Sequence, residues 1–249
     1  LNELRANRAY SRFIAGDLSM GDEMEHVIGL DPENGLFRAY LGELQMVQGD
    51  LALIQKAASL KSLGLDRAAF YDSAFSNSAR AVSLDPNNGL AYLVQGRILV
   101  NSGQRESAEK IFNDSAGLDL PTAQHYVQRA KLQGSFAKFD SALSDLNEAI
   151  RINPDRAGYY NERALVHVNL ENFESALADF GTAIQKDATN GAYLVNRGVL
   201  YYIVGENELS SEDIGVAISV SDVKVPPPVN RDLSYFALRP DLDLIRDFG

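Results

Sequence analysis

The side chains able to do chemistry are few in kind. The chain carries 34 Asp and Glu, three histidines and no cysteine. Without cysteine there are no disulfides, thiolate nucleophiles or Cys-type zinc sites, and compartment is left undecided. His26, His125 and His167 stand far apart, and no two are separated by the one or two helical turns that a helix-borne metal site requires. Each is expected to be a surface or packing histidine. There is no Gly-x-Ser-x-Gly elbow, Gly-rich phosphate loop or EF-hand spacing. Carboxylate pairs such as Glu212-Asp213 are expected on solvated helix faces. No catalytic residue, metal ligand or cofactor-binding residue is assigned, and the expectation is a protein that is not an enzyme.

The formal charge is −11, and lysines and arginines never run longer than two. Such a surface repels phosphate backbones, which argues for a protein or peptide partner and against nucleic acid. No window of 18 apolar residues marks a membrane span, and no signal peptide opens the chain. The first residue is Leu1, so the N-terminus is expected to be truncated or processed. The chain reads as soluble, in cytoplasm or periplasm alike.

The elements that position these side chains are set by a repeat. Turn signals at Asp85-Pro86, Leu120-Pro121, Asn153-Pro154 and Asp187-Ala188 fall 35, 33 and 34 residues apart. Proline suits these places because it cannot continue a helix. Between the stops, Tyr126, Arg129-Ala130, Phe139, Ala142, Leu146 and Ala149 return 34 residues later as Tyr160, Arg163-Ala164, Phe173, Ala176, Phe180 and Ala183. Arg197-Gly198, Ile214 and Ala217 continue the series, and Tyr92, Gly96, Gly103, Ala108 and Phe112 begin it. Small residues at fixed spacing let two helices approach, and large apolar ones fill the space beside them. Gly103 and Gly205 fit tight turns between helices, a place taken by Ser135 and Glu171-Asn172 in the two middle units.

This pattern resembles the tetratricopeptide repeat, strongly over residues 89–190 and more weakly over 191–220. The resemblance implies an all-α, right-handed superhelical solenoid of antiparallel helix hairpins, about five to six repeats plus a C-terminal cap. Residues 1–88 read as irregular N-terminal hairpins with about 20 extra residues near 49–68, expected to be helical from the spacing of Leu51, Ile54, Ala58 and Leu60. Residues 89–224 form the regular array. Residues 225–249 contain Pro226-Pro227-Pro228, then Leu233, Tyr235, Phe236, Leu238 and Leu242, Leu244, Ile245, Phe248. They read as a linker and cap, or as a ligand docking into a groove of this or another chain.

The resemblance also implies that the first helix of each hairpin lines a concave groove. Its candidate partner-binding residues are Val94, Gln128, Glu162 and Asn196; Val127, Asn161 and Val195, beside Leu93; Arg97, Lys131, Leu165 and Val199; and Asn101 and Tyr202. Amides that bond a peptide backbone alternate there with aliphatics that bury its side chains. Arg129, Arg163 and Arg197 are implied to pack and pair locally. One subclass grips acidic chaperone tails with two Lys, an Arg and two Asn. Asn196 matches one Asn, whereas Asn161 and Leu165 fall where a Lys-Asn pair belongs, so that clamp is incomplete. The resulting expectation is a non-catalytic scaffold binding a peptide or partner helix. The alternative is a homo-oligomer built through the N-terminal hairpins or the tail.

Overall fold

The computed structural model describes residues 2–54 and 67–220. The expected helix through Ala58 and Leu60 and the linker and cap of 225–249 lie outside the described residues. Among these, every regular element is helical, and no helix is long and apolar enough to cross a membrane. The chain forms two compact units that divide between Pro121 and Thr122.

In the first unit, α1 (Asn2–Ile14) buries Ala6, Ala9, Tyr10 and Phe13, an apolar stripe at helical spacing. Gly16, at φ +98°, ends it in the left-handed region. The Asp17 carboxylate then accepts from the Ser19 amide at 3.1 Å and starts a short 3-10 turn. That turn leads to α2 (Gly21–Leu30). The second hairpin, α3 (Gly35–Ile54) and α4 (Arg67–Leu84), is longer than the rest, at 20 and 18 residues against 10 to 14. Part of the extra sequence near 49–68 therefore lengthens α3. In the third hairpin, α5 (Gly89–Asn101) starts at an Asn88 cap that accepts from the Ala91 amide, and α6 (Arg105–Asp114) returns.

The second unit holds three hairpins of nearly equal length: α7 (Ala123–Ser135) with α8 (Phe139–Ile152), α9 (Ala157–Asn169) with α10 (Phe173–Lys186), and α11 (Gly191–Val204) with α12 (Asn207–Val220). Thr122 and Asn190 cap α7 and α11 through their side-chain oxygens.

The crossing positions behave as the spacing requires. A Cβ added at Gly96 would lie 2.3 Å from Cζ of Phe112, and one at Gly198 would lie 3.1 Å from Cγ1 of Ile214. Ala130 and Ala164, at the same register, are fully buried, as are Ala142 and Ala176 opposite them. Ala164, Val168, Ala176, Phe180 and Leu200 form one core cluster, and Leu194, Val195 and Ala217 another. Burying a side chain such as Phe180 stabilises by about 1.5–3 kcal/mol.

The hairpin turns correct one expectation. The left-handed residues are Gly103, Ala137, Glu171 and Gly205, at φ +76°, +57°, +58° and +95°. Ala137, and not Ser135, takes that conformation in the α7–α8 turn. Ser135 remains helical, its hydroxyl donating to the Leu132 carbonyl at 2.7 Å.

Candidate binding face

Each hairpin of the second unit is clasped by one arginine and one aspartate sixteen residues later. Arg129 donates through Nε and Nη2 to the two oxygens of Asp145 at 2.7 and 2.6 Å. Arg163 does the same to Asp179, both bonds 2.7 Å, and Arg197 to Asp213, both 2.7 Å. The first pair is buried, with side-chain exposures of 1% and 7%. Tyr126, Tyr160 and Tyr201 place ring faces 5.6–5.8 Å from the three guanidinium carbons, within cation–π range.

This overturns the expectation that Asp213 faces solvent: it is buried because Arg197 draws it inward. Burial pushes the Asp145 carboxyl above its usual range, against the lowering effect of Arg129. In the other two pairs, the hydrogen bond to the carboxylate raises the arginine.

The histidines are structural where they are buried. His125 Nδ1 lies 2.9 Å from the hydroxyl of the cap residue Thr122. His167 Nε2 lies 3.9 Å from Asp179, its Nδ1 is buried without a hydrogen-bond partner, and burial holds its pKa below the usual value. Among the described residues, no group of three or more His, Asp or Glu could hold a metal ion.

On the first helices of the second unit, several candidates come together. Asn196 Nδ2 on α11 donates to Asn161 Oδ1 on α9 at 2.9 Å. Lys131 on α7 pairs with Glu162 on α9 at 3.4 Å. Leu165 and Val199 are half-buried, packed at the rim of the core cluster, and Tyr202 is half-buried one turn further along α11. By contrast Val127, Gln128, Asn161 and Val195 are buried, Val195 within a core cluster with Leu194 and Ala217. The expectation that these four side chains are exposed is corrected by that burial. Tyr193 was not expected at this face. A Cβ on Gly158 would meet its hydroxyl at 3.5 Å, and burial raises its pKa, with Asp187 and Glu162 adding to the effect. The small residue at Gly158, facing an aromatic 35 residues later, was the available signal.

In the first unit, Val94 and Arg97 are buried as well. Arg97 Nη2 lies 3.4 Å from Asp50 Oδ2. Asn101 Nδ2 donates to Asp50 Oδ1 at 3.2 Å and to the Tyr71 hydroxyl at 2.7 Å, while that hydroxyl donates to Asp50. Arg97 and Asn101 therefore serve a polar network joining the long hairpin to α5. Asp50 and Tyr71 escaped sequence reasoning because they lie 47 and 30 residues from these partners, off the repeat period.

No protein-family model matches the chain, and no curated protein matches it by sequence. Solved structures do. YrrB, a TPR protein with an unusual peptide-binding site, superposes with a TM-score of 0.58 at 16% identity, over 80% of this chain and 92% of its own. The fold is that of a tetratricopeptide-repeat protein. MamA from Desulfovibrio magneticus RS-1 aligns over 70% of this chain and 96% of its own, at 17% identity and a TM-score of 0.52. A monomeric mutant of IFIT1 with Gppp-AAAA aligns over 90% of this chain at 18% identity and a TM-score of 0.55, and this chain spans about half its length (51%). At these identities the likeness is one of architecture. In tetratricopeptide terms, α5, α7, α9 and α11 are the first helices of their repeats.

Proposed function

We propose that the chain is a non-catalytic scaffold whose first helices α7, α9 and α11 bind a peptide segment of a partner protein. The Asn196–Asn161 bond carries this reading. It joins adjacent repeats, orients the half-buried Asn196 carboxamide through the buried Asn161, and leaves the Asn196 carbonyl oxygen as an acceptor for a further partner. Such an acceptor matches a backbone N–H of an extended peptide. Leu165, Val199 and Tyr202 flank the two asparagines with apolar surface for its side chains. YrrB supports a peptide ligand by analogy. The Gppp-AAAA in the IFIT1 structure is a weaker guide, because this chain has a charge of −11 and Lys131 on this face is already paired with Glu162.

The test is selection from a displayed library of unstructured peptides on the unaltered chain, followed by titration of the enriched sequences. Asn196→Ala with Tyr202→Ala should weaken them at least about tenfold, or 1.4 kcal/mol, at unchanged melting temperature. Undiminished binding would place the site elsewhere.

A second reading, association between copies, is favoured by α12. Leu209, Val216 and Val220 are each 42% exposed along one side of it, where the preceding hairpin has Ser175, Thr182 and Lys186. Light scattering that gives a constant 27.3 kDa over a wide concentration range would refute it.

A further inference from the structure

Two helices carry exposed apolar side chains beside opposite charges. On α1, Leu4, Asn7, Ser11 and Ile14 recur every three or four residues and so run along one side of the helix. Leu4 is 71% exposed and Ile14 47%. Arg5 and Arg8, both exposed, flank that line, and Glu3 lies on its other flank. Arg12 continues the basic flank but is held by Asp17 at 2.6 Å. Arg5 and Arg8 are left there without an ion pair among the described residues.

On α12 the exposed line reads Leu209, Glu212, Val216 and Val220, again every three or four residues, with Glu208 beside it. Leu209, Val216 and Val220 are each 42% exposed. At about 1.5 Å per residue, Leu4 to Ile14 spans roughly 15 Å and Leu209 to Val220 roughly 17 Å, nearly the same length. The charges decide which surface suits which. At −11, copies of the chain repel one another in general. Packing α12 on α12 would set carboxylates against carboxylates, and α1 on α1 guanidiniums against guanidiniums, both unfavourable. Packing α1 on α12 joins apolar line to apolar line and cation to anion.

We propose that copies of this chain associate head to tail, α1 of one copy packing along α12 of the next with Arg5 and Arg8 opposite Glu208 and Glu212. The proposal rests on the reading that copies associate through α12, and names the surface that meets it. Such a contact joins two different patches, so association continues past a pair unless the rotation closes a ring. A contact of two helices lies at the small end of protein interfaces, so growth belongs to the upper part of the concentration range.

Charge reversal on the full chain is the test, with mass followed by light scattering up to millimolar concentration. The mass of the unaltered chain should rise above 27.3 kDa as concentration increases. Arg5→Glu with Arg8→Glu should weaken association at least about tenfold, and so should Glu208→Arg with Glu212→Arg, because each variant carries one sign of charge on both patches. An equimolar mixture of the two variants should regain association, as should a chain carrying all four substitutions. All four positions are exposed, and circular dichroism on melting verifies that each variant is folded. Loss in one variant alone, or in neither, overturns head-to-tail packing while association between copies stands. Loss in both with no recovery in the mixture overturns the pairing of these charges. An unaltered chain that stays at 27.3 kDa throughout overturns the proposal and the reading beneath it.

Discussion

Replacing Arg129 by methionine tests the clasp that organises every hairpin of the second unit. The substitution keeps the stem's volume but deletes two hydrogen bonds of 2.7 and 2.6 Å to a carboxylate that is 7% exposed. Hydrogen bonds to charged groups are worth about 1.5–3 kcal/mol each, and breaking a buried ion pair costs about 3–5 kcal/mol. The two figures agree on a loss of about 3–5 kcal/mol at pH 7. The loss has a pH signature. Burial already raises Asp145 while Arg129 opposes it. Without Arg129 the carboxyl rises further, with only the Gln133 side chain still lowering it. A carboxyl whose folded pKa lies above its unfolded value takes up a proton more readily when folded. It therefore destabilises the fold as pH rises through that raised pKa. The penalty of Arg129→Met should be full at pH 7 and shrink as pH falls towards the ordinary carboxyl value of 3.8. Removing both charges, as Arg129→Met with Asp145→Leu, should return stability to within about 2 kcal/mol of the unaltered chain, because buried pairs barely outweigh their own desolvation. Arg163→Met should cost less, about 1–2 kcal/mol, since that guanidinium is 23% exposed and partly screened. Urea unfolding followed by circular dichroism at pH 7 and pH 4.5 measures all of these. A single-variant loss below about 1 kcal/mol at pH 7, or one equal at both pH values, refutes the reasoning.

Three further expectations concern the repeat itself. Ala142→Leu should overpack a fully buried crossing and cost about 1–3 kcal/mol, whereas Glu174→Leu at an exposed position should stay within about 0.5 kcal/mol; equal melting temperatures would contradict the alignment of repeats. Glu171→Gly should stabilise by about 0.5–1 kcal/mol, because the left-handed turn at φ +58° penalises any side chain; unfolding curves showing no gain would mean the turn stores no strain. His167→Gln copies Gln133 at the same register. Burial lowers the His167 pKa from 6.5, so the unfolded chain binds the proton more readily, and the unaltered protein loses stability as pH falls below about 6.5 through the lowered value. The variant should lack that loss in a comparison of urea midpoints at pH 7 and pH 5; parallel declines would exclude His167 as its source.

The architecture was legible because helix crossings leave a steric record in sequence. Gly96, Ala130, Ala164 and Gly198 are small for one reason, and Phe112, Leu146, Phe180 and Ile214 are large for the complementary one. The clasp was only half legible. The arginines stood out at their 34-residue spacing, but Asp213 beside Glu212 looked like a solvated charge pair. Yet Asp145, Asp179 and Asp213 share one register, sixteen residues behind those arginines, and that periodicity was the missed signal. The binding face was harder to read, since whether a first-helix side chain points into a groove or against a neighbour depends on the angle between hairpins. Val127 and Val195 are buried, while Leu165 and Val199 keep some surface. Arg97 was misjudged for another reason: its partner Asp50 belongs to the lengthened hairpin, outside the period.

The clasp bears on why the face varies. Packing within each hairpin is satisfied by the small crossing residues, their large partners and the Arg–Asp pair, all repeated with little change from α7 to α12. None of these constrains the register that reads Lys131, Leu165 and Val199, or the one that reads Gln128, Glu162 and Asn196. If those registers served packing alone, three hairpins with the same interior would be expected to share residue types there, as they do at the crossings. Instead one register passes from cation to aliphatic, and the other from amide through carboxylate to amide. Two of the cross-repeat contacts they make, Lys131–Glu162 and Asn196–Asn161, differ in kind. Chemical variation along these registers suits recognition of a non-repeating ligand, because each step along a peptide presents a different side chain. Replacing Lys131 and Glu162 together by leucine and asparagine, the residues of the neighbouring steps at the same registers, should therefore leave unfolding within about 1 kcal/mol while changing which library peptides are enriched. An unchanged peptide preference, at unchanged stability, would show that the variation carries no recognition.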